Sequence, residues 1–333
     1  MKIKNYLCLG GALLALGCSS PEVNDPMPSW NNTPVKEKII SYVEKEAAQI
    51  PVEDRIAVFD MDGTIACERP LWFEMAVAVQ HMADQLKENP DLCKYTEYQY
   101  AEKLVKNPED STVLANWFVD GANYLDSVLF KSFEGVENED YVTYANKFLN
   151  ENEAPHYGMK YADMFYQPML EFLDYLHQHE FKVYIVSGSM QGIVWSVCPQ
   201  NTGFERERLI GTRQAMDVSF PNNSEVKYVL RKAVDLPKNN YYGKAVNIYT
   251  HIGKVPVMAV GNTTGDFGMF HMASGSKYPH FVMMLNHDDA EREYAYVPYY
   301  GSDHPDWQDS LRTYGWIQAD MSKEFKTVWM KKK

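Results

Sequence analysis

Arg55-Ile56-Ala57-Val58-Phe59-Asp60-Met61-Asp62-Gly63-Thr64 joins an apolar run of strand length to two carboxylates spaced two residues apart. A continuous apolar run of this kind suits a central parallel strand, buried on both faces. Three comparable runs follow at 183–186, 255–260 and 281–285, with helical segments between them. Pro168 opens one such segment, carrying Met169, Leu170, Phe172, Leu173 and Leu176 directly into the second strand. Residues 244–252 read as another, ended by Gly253 at its C-terminus. Strand–helix alternation predicts an α/β core built on a doubly wound parallel sheet.

Residues 67–167 break that rhythm. Pro70 can open a helix at its first position, and Trp72, Met75, Ala76, Val79, Met82, Ala83 and Leu86 recur at helical spacing. Further helical pieces are expected near 111–130 and 139–150. The reading is an all-helical cap at 67–167, inserted after the first strand of a core formed by 36–66 and 168–333. A chain of 333 residues, 45% hydrophobic, can bury one sizeable core and a smaller second one. The cap aromatics Trp72, Trp117, Phe118 and Tyr124 could cage a cationic headgroup. At helical spacing they read as core.

The N-terminus reads as an address. Lys2 and Lys4 precede an apolar stretch at 7–16, too short to span a bilayer, which takes about twenty residues. Ala15-Leu16-Gly17-Cys18-Ser19-Ser20 then resembles a bacterial lipobox. Residues 1–17 are expected to be a lipoprotein signal peptide, Cys18 the lipidated residue, 18–35 a flexible tether and 35–50 an amphipathic helix. Ser19 and Ser20 point to the outer membrane of the cell envelope, on its periplasmic or surface face. Cys67, Cys93 and Cys198 remain, an odd number without a CxxC pair, which argues against structural zinc. The net charge of −13, with no Lys/Arg run, argues against nucleic acid as a partner. Membrane contact is expected through the anchor alone.

Ligands of open α/β sheets bind beyond the carboxyl ends of the strands, so residues following the apolar runs can converge. Asp60 is placed to attack phosphorus, and Asp62 to protonate the leaving oxygen and later deprotonate water. Gly63 permits the turn between them and Thr64 can hold a phosphoryl oxygen or lock the loop. Ser187 and Gly188 offer a hydroxyl and N–H groups to phosphate. Lys244 can offset the charge of Asp60 and phosphate, with Lys232 and Lys254 as rivals. Asp60, the Asp62 main-chain carbonyl and the Asn262 amide oxygen form an oxygen set suited to Mg2+, with Asp266 near the ion through water or through Lys244. Glu68 and Arg69 enter the cap, where they could touch the leaving group. His287-Asp288-Asp289 reads as a polar strand-to-loop turn.

Together these motifs resemble the haloacid dehalogenase-like hydrolase superfamily, in the branch similar to phosphoserine phosphatase, over about residues 52–330. The order of motifs and the cap position match. Two departures stand out: Asn262 and Thr264 occupy positions where the family and its resembling group carry Asp. The resemblance implies an Mg2+-dependent phosphatase that hydrolyses small organic phosphomonoesters through an aspartyl-phosphate on Asp60. Family dehalogenases lack the second acid because a halide needs no proton, so Asp62 selects the phosphatase. Two other readings stay open. One is a binding lipoprotein on a retired hydrolase fold, favoured by Asn262 alone. The other is a phosphotransferase that passes phosphate to an alcohol.

Overall fold

The structure, a computed structural model, describes residues 25–109, 122–222, 225–299 and 304–330. The expected signal peptide, Cys18, the tether up to residue 24, and Trp117 and Phe118 of the cap lie outside the described residues, as does the Tyr124 side chain. No helix among the described residues is long and apolar enough to cross a membrane.

Among the described residues ten strands form in chain order: β1 (Ile56–Phe59), β2 (Glu153–Ala154), β3 (Met159–Lys160), β4 (Lys182–Met190), β5 (Leu209–Thr212), β6 (Gln214–Ser219), β7 (Lys227–Val234), β8 (Met258–Gly261), β9 (Phe281–Asn286) and β10 (Ile317–Asp320). Six of them make one sheet in the order β10-β9-β8-β1-β4-β5, with every neighbouring pair parallel. Strand periodicity sends alternate side chains to two cores. Ala57, Phe59, Val183, Ile185, Met258 and Val260 pack on one face, and Val58, Val186, Ala259 and Met284 on the other. The chain winds away from β1 in both directions, so the connections part at its carboxyl end and leave a crevice between β1 and β8.

Among the described residues of the cap, the α-helices are Phe73–Glu88, Thr96–Lys106, Ala122–Ser132 and Asn138–Glu151. The cap is helical as expected, apart from the two-residue antiparallel ladder β2–β3. Pro70 does not open the first helix, which begins at Phe73 after Trp72. Between β5 and the helix Tyr242–Ile252 the chain makes an antiparallel hairpin, β6–β7, that the sequence pattern did not announce. Its backbone meets the cap, where Gly135 N donates to Leu230 O at 2.8 Å and Leu230 N to Val136 O at 2.9 Å.

The tether requires correction. Residues 18–35 read as flexible, yet Met27 and Trp30 are fully buried. Trp30 Nε1 donates to the Pro168 carbonyl at 2.7 Å, and its ring packs edge-on against Phe172 and Phe325. Asn31 N donates to Glu324 O and Lys326 N to Ser29 O, both at 2.8 Å. Two large apolar side chains anchor a segment otherwise rich in Ser, Pro and Asn, and they are too few to leave a period. Thr33 then caps the helix Pro34–Ser41, accepting from Lys36 N.

Candidate active site

Asp60 follows β1 directly, its N–H held by the Val260 carbonyl at 2.9 Å, so it points beyond the sheet into the crevice. Lys244 reaches it from the first turn of the helix Tyr242–Ile252, with Nζ 2.6 Å from Asp60 Oδ1 and 2.6 Å from Asp266 Oδ1. All three are buried. Burial works against the Lys244 charge, but Asp266 and Asp60 more than offset it and hold the ammonium above its usual range. Burial and the neighbouring Asp266 charge push the Asp60 carboxyl well up, against the pull of Lys244. The rivals drop out: Lys254 bonds Asp54 at 2.6 Å on the surface, and Lys232 is exposed on β7. Gly243 lets the Lys244 helix start where it does, because a Cβ there would lie 1.8 Å from the Lys238 carbonyl oxygen.

Asp62 turns towards β4. Its Oδ2 accepts from Ser187 Oγ at 2.9 Å and from Ser189 Oγ at 2.8 Å, while its Oδ1 is buried without a partner. Burial raises its carboxyl to about 6, against the two serine hydrogen bonds. Ser187 is fully buried, and its oxygen also accepts from Ser189 N at 3.0 Å. It is therefore committed to positioning Asp62. The pocket is instead lined by Gly188, Ser189 and Met190. Ser189 was missed. Alternation could have found it, since residues 187 and 189 of one strand share a face.

Thr64 takes the loop-locking option, its Oγ1 donating to Asn262 Oδ1 at 3.3 Å. Asn262 Nδ2 donates to Glu68 Oε1 at 3.0 Å and to the Tyr296 hydroxyl at 3.1 Å. Both oxygens of Asp266 are engaged: Lys244 takes Oδ1, and the Asn262 and Thr263 N–H groups take Oδ2 at 2.9 and 3.0 Å. Asp266 was read among the metal residues. It braces Lys244 and the loop through both oxygens while also lining the cavity floor. His287 belongs to no ligand cluster either. It sits beneath the loop, Nε2 2.7 Å from Gly63 O and Nδ1 2.9 Å from Glu293 Oε2.

A cavity of about 410 Å³ opens over these groups. Asp60, Asp62, Lys244, Asn262 and Asp266 form its floor, and Glu68, Arg69, Trp72, Glu74, Leu129 and Phe130 its cap side. Lys238, Asn240 and Tyr241 close it from the base of the hairpin. Residues as far apart in sequence as Asp60 and Asp266 thus meet at one switch point.

A family model described as haloacid dehalogenase-like hydrolase matches residues 57–271, well over half of the chain. The chain belongs to this family. No curated protein matches it. Among solved structures, a conserved protein of unknown function from Anaerococcus prevotii DSM 20548 is similar over 85% of this chain and 91% of its own, at 15% identity and a TM-score of 0.52. Cytosolic 5'-nucleotidase IIIB bound to cytidine (14% identity, 77% and 79% covered, TM-score 0.43) is a looser likeness. So is a phosphoserine phosphohydrolase-like protein from Francisella tularensis subsp. tularensis SCHU S4 (12% identity, 69% and 87% covered, TM-score 0.38).

The donor set of this haloacid dehalogenase-like hydrolase fits a hard divalent cation. Asp60, Glu68, the Asn262 amide and the main chain at Asp62 offer oxygen only. The carboxylates of Asp60, Asp62, Glu68 and Asp266 outnumber the one ammonium buried among them.

Proposed function

We propose that this hydrolase is an Mg2+-dependent phosphatase of small organic phosphomonoesters, working through an aspartyl-phosphate on Asp60. The observation that carries the reading is Asp62, two residues from Asp60, its carboxyl lifted to about 6 and fixed by two serine hydroxyls over the same cavity. A halide leaving group would need no such acid; an alkoxide does.

An Asp60 oxygen attacks phosphorus, and the bond from phosphorus to the ester oxygen breaks. Asp62 gives that oxygen its proton, and the alcohol leaves. Asp62, now a carboxylate, takes a proton from water as the water oxygen attacks phosphorus. The bond to Asp60 breaks and phosphate departs. A group lifted to about 6 can both give and take that proton near neutrality. Lys244 holds Asp60 in place and carries positive charge into the site, and Gly188 lines the cavity where the phosphoryl oxygens would lie. Asp60, the Asp62 carbonyl and the Asn262 amide oxygen would hold Mg2+, which would offset the repulsion between phosphate and carboxylates. Positioning and electrostatics supply most of the rate in such transfers.

Phosphate release from a panel of phosphomonoesters, with Mg2+ or EDTA and beside Asp60→Asn, tests this reading. Metal-dependent turnover that vanishes in Asp60→Asn is expected. A folded wild type that turns over no member would leave the binding-protein reading in its place, and phosphate transferred to an added alcohol would favour the phosphotransferase. We propose further that Cys18 is lipidated and holds the enzyme at the cell envelope, on the strength of Lys2, Lys4 and the apolar stretch before it. Labelled palmitate should enter the wild-type chain and not Cys18→Ser.

A further inference from the structure

The cap contributes one acid that the reaction above does not use. Glu74 stands in the first turn of the helix Phe73–Glu88, amid Phe73, Met75, Ala76 and Val77, all buried. It is itself 5% exposed, lines the cavity, and its Oε1 has no hydrogen-bond partner. A buried polar atom left unmade costs free energy that surrounding structure or a ligand must offset. Burial, then the Asp62 charge, lift the carboxyl to about 8, against the Met190 main chain, Trp72 and Ser189. The same wall holds Glu68, Trp72, Leu129 and Phe130. Phosphate is met on the floor by Asp60, Lys244 and Gly188, so the alcohol half of the ester must lie against this wall.

We infer that Glu74 is a specificity-determining residue: its open carboxyl oxygen hydrogen-bonds the leaving alcohol, which therefore carries a second polar group, a hydroxyl or an ammonium that draws the carboxyl into its charged form. Asp62 is reserved for the proton of the ester oxygen, and the Ser189 hydroxyl is already given to Asp62 Oδ2. Glu68 on the same wall already accepts from Asn262, so beside Trp72, Leu129 and Phe130 it is the Glu74 carboxyl that has a buried oxygen unmatched. An alkyl ester of the same length would strand the oxygen, and the enzyme should discriminate against it.

This inference rests on the phosphatase reading and is tested by ratios of kcat/KM. Glycerol 1-phosphate is compared with propyl phosphate, and phosphoethanolamine with ethyl phosphate, for wild type, Glu74→Met and Glu74→Gln. In the wild type at least one donor-bearing ester is expected to be preferred by about tenfold or more. Glu74→Met, which removes the acceptor at similar volume, should bring that ratio to near one. Glu74→Gln keeps an acceptor oxygen without a charge. Retention of the hydroxyl preference there identifies a hydroxyl donor, and loss of the ammonium preference alone identifies an ammonium. A wild-type ratio near one, or a ratio unchanged in Glu74→Met whatever the absolute rates, overturns the inference while leaving the phosphatase standing. No turnover of any of the four esters by folded wild type sinks both.

Discussion

Lys244 stands between two buried carboxylates at 2.6 Å each, and removing it would leave both facing each other without a counter-charge. Breaking a buried ion pair in this way costs about 3–5 kcal/mol. Lys244→Met should therefore lower the urea midpoint as well as abolish turnover, and a variant as stable as wild type would contradict the geometry. Glu74 makes the opposite kind of prediction. Its folded-state value is raised from 4.5 to about 8, so between those values the native state binds more protons than the unfolded one, and stability falls as pH rises. The loss is on the order of a few kcal/mol by pH 8. Glu74→Gln should flatten that decline, seen by comparing urea midpoints at pH 5 and pH 8 in EDTA. The chemistry-bearing residues Asp60, Asp62, Lys244 and Asn262 were legible in the sequence because each follows an apolar run or opens a helix. Glu74 was not, because its neighbours are all apolar and a single acid within such a stretch carries no sign of the cavity it faces.

The loop after β1 owes its shape to contacts from below. The Met61 carbonyl accepts from the N–H groups of Thr64, Ile65 and Ala66 at 3.0–3.1 Å, and the Gly63 carbonyl is met by His287 Nε2. Both ring nitrogens of His287 face acceptors, and against burial Glu293 raises the affinity of the ring for its second proton. His287→Ala should destabilise the protein by about 3 kcal/mol, read in thermal melts, by leaving the buried Glu293 carboxylate without its counter-charge. Gly63 has φ +74°, and a Cβ there would lie 1.9 Å from Asn262 Nδ2. Gly63→Ala should cost activity through displacement of Asn262, and wild-type kcat in that variant would refute the packing. The four strands read from the sequence are those with unbroken apolar runs. β5 and β10 escaped notice because they are four-residue edge strands, and β10, Ile-Gln-Ala-Asp, has only one face to bury. The β6–β7 hairpin escaped because the apolar positions Met216, Val218 and Tyr228 stay exposed, so no core imposes a pattern.

At the scale of the whole chain, the two ends of the described structure are knitted together. Trp30 and Phe325 pair as an antiparallel bridge and pack ring against ring at 5.2 Å, over Pro168 and Phe172. Trp30→Ala should cost about 3–5 kcal/mol, as for other buried aromatics, and a chain shortened to begin at residue 36 should melt well below one that begins at residue 25. Equal melting temperatures would show that the segment is ornamental. The same knot has a bearing on biogenesis. Asp60, Asp62, Lys244 and Asp266 have all left the ribosome long before Phe325 does, so the nascent chain holds the charged groups of the site while Trp30 still has no seat. Among the described residues, the earliest segment to emerge is thus among the last to settle, and until it does Met27 and Trp30 stay exposed.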